Sequence, residues 1–151
     1  MAVAKLLHIL GVVVWVGGMF FAYLALRPAA AQQLEPPQRL KLWQGVLRRF
    51  FFWVWLAVAL ILGSGLYRMW QLGGVNAPLY IYVMMLIGLI MVLIFVHVYF
   101  APFHRLQRSI TAQDWTTAGV ALNRIRILVA ANLTLGLVNI AVAALGQITA
   151  V

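Results

Sequence analysis

The chain has 151 residues, of which 66% are hydrophobic and 9% charged, and its mean hydropathy is +1.01. A soluble domain averages roughly half apolar and a quarter charged residues, so this composition excludes an ordinary soluble protein. Eleven Lys and Arg against two acids give a formal net charge of +9, and the chain has no cysteine. This excludes disulfides, thiolate metal sites and cysteine nucleophiles. The positive charge indicates contact with anionic lipid head groups rather than with nucleic acid.

Four apolar runs are long enough to cross a bilayer, which takes about 20 residues per helix. They predict transmembrane helices over residues 3–26, 50–70, 79–101 and 113–147. We therefore predict an all-α membrane protein, one domain folded as an antiparallel bundle of four transmembrane helices. The first run exceeds the apolar region of a signal peptide, about 7–15 residues, so we expect it to be retained as a helix.

The first connection contains a helix start. Glu35-Pro36-Pro37 predicts it, because proline fits the first turn and an acid suits the positive end of the helix. We expect residues 38–49 to form a short interfacial segment that leads into the second span.

The other two connections carry turn and capping signals. Gly73-Gly74 followed by Asn76-Ala77-Pro78 predicts a tight turn in the second connection, which has no Lys or Arg. In the third connection Thr111-Ala112-Gln113-Asp114 resembles a capping box, so we expect the fourth helix to start before the bilayer.

Basic residues cluster in two of the connections, and this asymmetry predicts the orientation. Lys5 and Arg68 fall on the other side of the predicted bundle. Cytoplasmic ends of membrane helices carry an excess of Lys and Arg, so both termini should lie in the periplasm of a bacterial inner membrane. Nine of the eleven basic residues lie in or beside the first and third connections: Arg27, Arg39, Lys41, Arg48, Arg49, Arg105, Arg108, Arg124 and Arg126.

Small and polar residues recur at helical spacing on two predicted helices. Glycines in such a stripe let a neighbouring helix or a flat ligand approach the backbone closely. One interpretation is helix packing reinforced by asparagine amides, and the other is a ligand surface around Trp15. The stripes comprise His8, Gly11, Trp15, Gly18 and Ala22 on the first helix, and Asn132, Gly136, Asn139 and Ala143 on the fourth.

His8 is the most informative residue of the first stripe, because it lies inside the predicted span. Intramembrane ionisable groups are expensive and usually face the bundle interior, so a functional role is the default hypothesis. His8 would then be a metal or haem ligand or a proton carrier. The alternative is a neutral imidazole hydrogen-bonded to an amide such as Asn139.

His97 lies near the inner end of the third predicted helix. At about 1.5 Å rise per residue, His8 and His97 differ in depth by roughly 20 Å, so one subunit cannot bind one metal ion through both. His97 and Asn132 form a second candidate site. The alternative is a structural role, in which His97 only pairs with Asn132 or with an arginine. We expect His104, on a wet loop, to be solvated.

An antiparallel bundle would gather several donor groups near His8 at the outer face. A neutral imidazole with thioethers suits Cu(I). An imidazole beside two cations suits haem b, with iron on the histidine and the cations on the propionates. The alternatives are that the methionines only pack in the bundle and that Lys5 and Arg68 only extend their charged ends to the membrane surface. The residues are Lys5, His8, Arg68, Met69, Met84 and Met85.

Several short segments together resemble the membrane domain of the copper-resistance protein D family, in its short stand-alone form. The resemblance implies copper uptake or tolerance in the inner membrane, with periplasmic copper carriers as partners of the larger members. The segments are Lys5-Leu6-Leu7-His8, Trp15, Gly17-Gly18-Met19-Phe20-Phe21, Leu26-Arg27-Pro28, His97-Val98-Tyr99-Phe100-Ala101-Pro102, Arg124-Ile125-Arg126 and Asn132-Leu133.

The pattern Lys-x-x-His, six residues, Trp is also similar to the HemJ-type protoporphyrinogen oxidases. In that family the histidine matching His8 is implicated in haem binding, and the lysine matching Lys5 in function. The chain departs from the pattern after Trp15, because it lacks the Leu-Pro-Arg segment and has Leu133, not Glu, after Asn132. The resemblance therefore implies haem binding rather than porphyrinogen oxidation.

Three functions follow from these residues. The first is a haem b redox protein with His8 as axial ligand, a porphyrin surface formed by Gly11, Trp15 and Gly18 with Asn139 nearby, and quinone as electron partner. Methionine or the second copy in a homodimer would supply any sixth ligand. The second is Cu(I) binding or transport, and the third is a structural or assembly role without a cofactor.

Overall fold

The structure is a computed structural model that describes residues 2–74 and 77–149. Within these residues, four helices are long and apolar enough to cross a membrane, and they confirm the predicted all-α membrane fold. The spans are Ala2–Gln33, Pro36–Gln71, Leu79–Thr111 and Trp115–Ile148.

The first span is longer than the sequence predicted. Helix α1 (Ala2–Phe21) passes through a π-helical turn (Ala22–Leu26) into α2 (Arg27–Gln33) without a break. Pro28 lies at the start of α2, and the wide turn before it accommodates the proline ring, which would clash with the carbonyl four residues earlier in a regular helix.

The second span is the single helix α3 (Pro36–Gln71). Glu35 is its extended N-cap residue and two prolines open it, in agreement with the predicted start. The segment 38–49 is the first part of this helix, and its residues Leu40, Trp43 and Leu47 are buried at helical spacing and pack into the core.

The third span again contains a π-helical turn. Helix α4 (Leu79–Val98) continues through Tyr99–Phe103 into α5 (His104–Thr111), and the turn contains Pro102. This helix therefore extends about ten residues beyond the predicted end, at about 1.5 Å per residue some 15 Å further.

Asp114 caps the start of α6 (Trp115–Thr149), because the Thr117 amide donates to its Oδ1 at 3.0 Å. The Thr111 hydroxyl instead donates to the Gln107 carbonyl at 3.0 Å, which corrects the predicted role of Thr111 in a capping box. Hydrogen bonds from Thr117 lower the pKa of the Asp114 carboxyl, so the cap is an ionised acceptor at neutral pH.

Gly73 and Gly74 begin the connection between the second and third spans. Their φ values of 84° and 62° lie in the left-handed region, where glycine carries no Cβ penalty. The Tyr82 hydroxyl donates to the Gly74 carbonyl at 2.9 Å. Asn76 of the predicted turn lies outside the described residues.

The spans pack in two close pairs. In the first pair, α1 meets α3: a Cβ added at Gly11 would lie 2.8 Å from Cγ1 of Ile61 and 3.0 Å from the Ala57 carbonyl oxygen. Further along α1, Gly18 lies against Phe50, nearer the start of α3. Later residues of α1 therefore contact earlier residues of α3, so these two helices run in opposite directions.

The second pair is α4 with α6, and asparagine amides join it. Asn139 donates to the Met84 carbonyl at 3.2 Å, and Asn132 donates to the Met91 carbonyl at 3.3 Å. The later asparagine contacts the earlier methionine, so α4 and α6 also run in opposite directions. An edge-to-face cluster fills the core between the helix pairs, with ring centroids 4.9 Å apart for Phe51 and Phe103 and 5.5 Å apart for Phe51 and Phe95.

Two glycines of α1 test this packing. We expect Gly11→Ala to destabilise the protein by about 1–3 kcal/mol, because the added methyl overpacks the contact with α3. Gly17→Ala is the matched control: its Cβ would meet nothing within 4 Å, so it should leave stability unchanged or raise it by about 1 kcal/mol through helix propensity. Unfolding of the purified variants in mixed detergents would measure both, and equal losses would contradict the packing.

Candidate functional site

His8 faces α3 from the first helix and is half-buried. Its Nδ1 lies 2.9 Å from the hydroxyl oxygen of Ser64, which is 7% exposed. A Cβ added at Gly65 would lie 3.7 Å from Cε1 of the same ring. The imidazole is therefore held between α1 and α3 by a hydrogen bond across the pair.

The Ser64 hydroxyl determines the direction of this hydrogen bond. A hydroxyl has one proton to donate, and Ser64 directs it at carbonyls of its own helix, those of Leu60 and Ile61. With the Ser64 proton on these carbonyls, Ser64 accepts from His8, and Nδ1 then carries the proton in the neutral ring. The lone pair is left on Nε2, the arrangement in which histidine binds metal ions.

Arg68 belongs to the same group of residues. It lies one helical turn beyond Ser64, is half-buried, and is close enough to act electrostatically on His8. Lys5 precedes His8 by almost one turn and is exposed. The structure thus joins His8 to Ser64 by a hydrogen bond and places Arg68 within electrostatic range of His8, with Lys5 exposed almost one turn before His8 on α1.

The three predicted methionine ligands differ in exposure. Met69 and Met84 are half-buried, whereas Met85 is 43% exposed on the outer surface of the bundle. In the part of the chain that the structure describes, no three His, Asp or Glu side chains form a group that could hold a metal ion.

The surface expected to accept a porphyrin is filled by protein. Trp15 is 3% exposed and its ring centroid lies 6.1 Å from that of Phe95. Gly11 and Gly18 are closed by Ile61 and Phe50 of α3. The small residues of this stripe serve helix packing, so they do not form the flat open surface that the haem hypothesis placed there.

The asparagines of α6 are engaged with α4 rather than with histidines. Asn139 bonds to the Met84 carbonyl and Asn132 to the Met91 carbonyl, so neither is the hydrogen-bond partner considered for His8 or His97. His97 is exposed on the outer surface of α4. His104, expected to be solvated, instead makes a 2.7 Å hydrogen bond from Nδ1 to the Tyr99 carbonyl.

Sequence reasoning missed Ser64. It lies in the segment Gly63-Ser64-Gly65 and is the one serine of the second apolar run. The sequence did contain a signal for this residue. Its hydroxyl lies inside a predicted span, between two glycines and four residues before Arg68. Its partner on α1 became visible only once the register of the two helices was known.

A protein-family model for copper resistance protein D matches residues 44–145, about two thirds of the chain. The chain belongs to the copper resistance protein D family. The match contains Ser64, Arg68 and the three methionines, and it begins after α1, so His8 lies outside it. No curated protein and no solved structure matches the chain.

Two buried serines provide a test of the contact with His8. We expect Ser64→Ala to cost about 1–3 kcal/mol, because it leaves the Nδ1 proton of His8 without an acceptor. Ser109 is equally buried at 7% exposure, but its hydroxyl donates only within its own helix, to the Arg105 carbonyl at 2.8 Å. Ser109→Ala should therefore cost less, and an equal or larger loss measured by detergent unfolding would argue against the interhelical hydrogen bond.

Proposed function

We propose that this copper resistance protein D family member binds Cu(I) as cargo inside the membrane, with Nε2 of His8 as the central ligand. The hydrogen bond between His8 and Ser64 carries the proposal, because it leaves the lone pair on Nε2. A second group that fixes the orientation and tautomer of a metal-binding histidine is a regular feature of such sites.

Helical spacing favours Met69 as the first sulfur donor. Gly65 lies against Cε1 of His8, and Met69 follows it by four residues on α3. Side chains four residues apart share a helix face, so the Met69 thioether belongs to the face that meets His8. Imidazole and thioether are donors that suit Cu(I).

The register of the bundle favours Met84 as the next donor. Val16 and Met91 both contact the position of Gly136, so these two residues lie at one depth. His8 precedes Val16 by eight residues and Met84 precedes Met91 by seven, so at about 1.5 Å per residue His8 and Met84 also lie at similar depth. Met85, exposed to lipid, fits least well.

The charge around His8 selects against hard cations. Mg²⁺ and Ca²⁺ need carboxylate oxygens, and the two acids of the chain, Glu35 and Asp114, lie in the connections. Arg68 adds a positive charge near His8. Binding would therefore depend on the soft nitrogen and sulfur donors rather than on net attraction, which favours Cu(I).

We also propose the orientation in which both termini are periplasmic. The Lys41 ammonium lies 5.6 Å from the ring centroid of Trp115, and this contact brings the first and third basic connections to one end of the bundle. We call it the basic end. The positive-inside rule assigns it to the cytoplasm. His8 would then lie near the periplasmic face, where a periplasmic copper carrier could exchange the ion.

Haem b is the second candidate, and Arg68 is the observation that favours it. A free Nε2 on His8 suits iron, and Arg68 with Lys5 suits propionates. The closed surface at Gly11 and Gly18 disfavours it, because a porphyrin would have to bind on the lipid side of α1. A Soret band in haem-supplied protein that disappears in His8→Ala would support haem over copper.

Anaerobic Cu(I) titration against a chromophoric chelator tests the proposal. We expect His8→Ala to abolish binding, and Ser64→Ala to weaken it by roughly 10–100-fold through loss of the orienting group. Met69→Leu and Met84→Leu should weaken binding, whereas Met85→Leu and Ser109→Ala are controls that should match the wild type. Unchanged affinity in His8→Ala would contradict the proposal. A correctly folded His8→Leu that leaves host copper tolerance intact would favour a structural role.

A further inference from the structure

A groove of about 440 Å³ lies at the basic end of the third span, far from His8. Its lining combines two arginines with an aromatic wall, and no part of the proposed copper site contributes to it. The lining residues are Phe100, Ala101, His104, Arg105 and Arg108.

The aromatic wall is held in place by the π-helical turn. The His104 ring donates from Nδ1 to the Tyr99 carbonyl at 2.7 Å, because a carbonyl can only accept. Its ring lies parallel to that of Phe100, with an interplanar angle of 2° and centroids 6.1 Å apart. The two rings therefore stand parallel beside the arginines.

Arg105 and Arg108 give the groove a positive charge that acidic side chains of the protein offset only in part. Arg105 and Arg108 are exposed and lie one turn apart on α5. Of the two acids in the chain, Asp114 is within electrostatic range of Arg105. Guanidinium groups bind phosphate oxygens in a bidentate manner, so an excess of positive charge in a groove of this kind suits a phosphate group.

The depth of the groove places it at the lipid head groups. Helix α4 has 20 residues, and at about 1.5 Å per residue it spans about 30 Å, the thickness of the hydrocarbon layer. The π-helical turn and α5 follow directly. The groove thus begins where the hydrocarbon ends, at the leaflet on the basic side.

The outer face of α4 continues the groove with apolar surface. Leu86, Ile90 and Leu93 are 60%, 41% and 60% exposed and recur at helical spacing. His97 follows them on the same face, one turn before Phe100 and Ala101. A free phosphate would use only the arginines, whereas a phospholipid would use both the arginines and this apolar track.

We propose that this groove is a specific binding site for an anionic phospholipid. Arg105 and Arg108 bind its phosphate, Phe100 and His104 form the wall, and the acyl chains lie along Leu86, Ile90 and Leu93 of α4. This placement also puts the lipid's ester oxygens at the depth of His97, next to the end of α4, where they can hydrogen-bond to its imidazole.

Native mass spectrometry and lipid titration test this site. The full chain, purified with phosphatidylcholine, is titrated with phosphatidylglycerol. We expect the double variant Arg105→Gln/Arg108→Gln to bind phosphatidylglycerol roughly tenfold or more weakly. Each arginine at the lipid surface adds to the binding free energy for an anionic lipid. Arg48→Gln/Arg49→Gln removes the same charge from exposed positions at the same end that do not line the groove. Because exposed charges away from the bound phosphate are screened by salt, this variant should stay within about twofold of wild type.

Three outcomes would overturn the proposal. Equal losses in the two double variants would mean that only general basic charge is involved. Equal retention of phosphatidylcholine and phosphatidylglycerol by the wild type would exclude a charge-selective site. Inorganic phosphate or glycerol phosphate that binds the groove as tightly as phosphatidylglycerol would assign it to a soluble anion. If the glutamine variant unfolds, Arg105→Lys/Arg108→Lys keeps the charge but removes bidentate binding, and it should still bind more weakly than the wild type.

Discussion

The single hydroxyl proton of Ser64 constrains the chemistry of this protein more than any other group. When that proton is directed at carbonyls of α3, Ser64 accepts the hydrogen bond that joins α1 to α3, and His8 donates it. One interhelical hydrogen bond thus joins the first pair of helices, and we propose that it presents the unprotonated Nε2 of the imidazole to the ion. Helix packing and ligand presentation depend on the same two side chains, so a variant at either position must be assessed for both stability and binding.

The fold was largely readable from the sequence, since apolar runs of spanning length and basic connections are strong signals. The helix ends were not. The predicted first and third spans end at residues 26 and 101, just before Pro28 and Pro102, but π-helical turns carry both helices past these prolines. Residues 38–49 were expected as a short segment leading into the second span, and Leu40, Trp43 and Leu47 show that they already belong to the buried face of α3.

The site was only partly predictable. His8 was identified because an ionisable group inside a span is costly, and Arg68 because it lies at the same end. Ser64 was missed, and the asparagines were given the wrong partners, because such pairings depend on helix register. Periodicity assigns a residue to a face, but it does not determine which neighbouring helix that face meets. The glycine stripe was ambiguous for the same reason, until Phe50 and Ile61 were found to fill it.

Nitrogen-15 NMR of histidine-labelled protein, with His8 assigned by comparison with His8→Ala, tests the central claim most directly. The account predicts the tautomer with the proton on Nδ1 and an unprotonated Nε2 whose resonance changes when Cu(I) is added. A proton on Nε2 in the neutral ring would contradict it, because Ser64 would then donate to Nδ1 and occupy the lone pair that a metal ion needs.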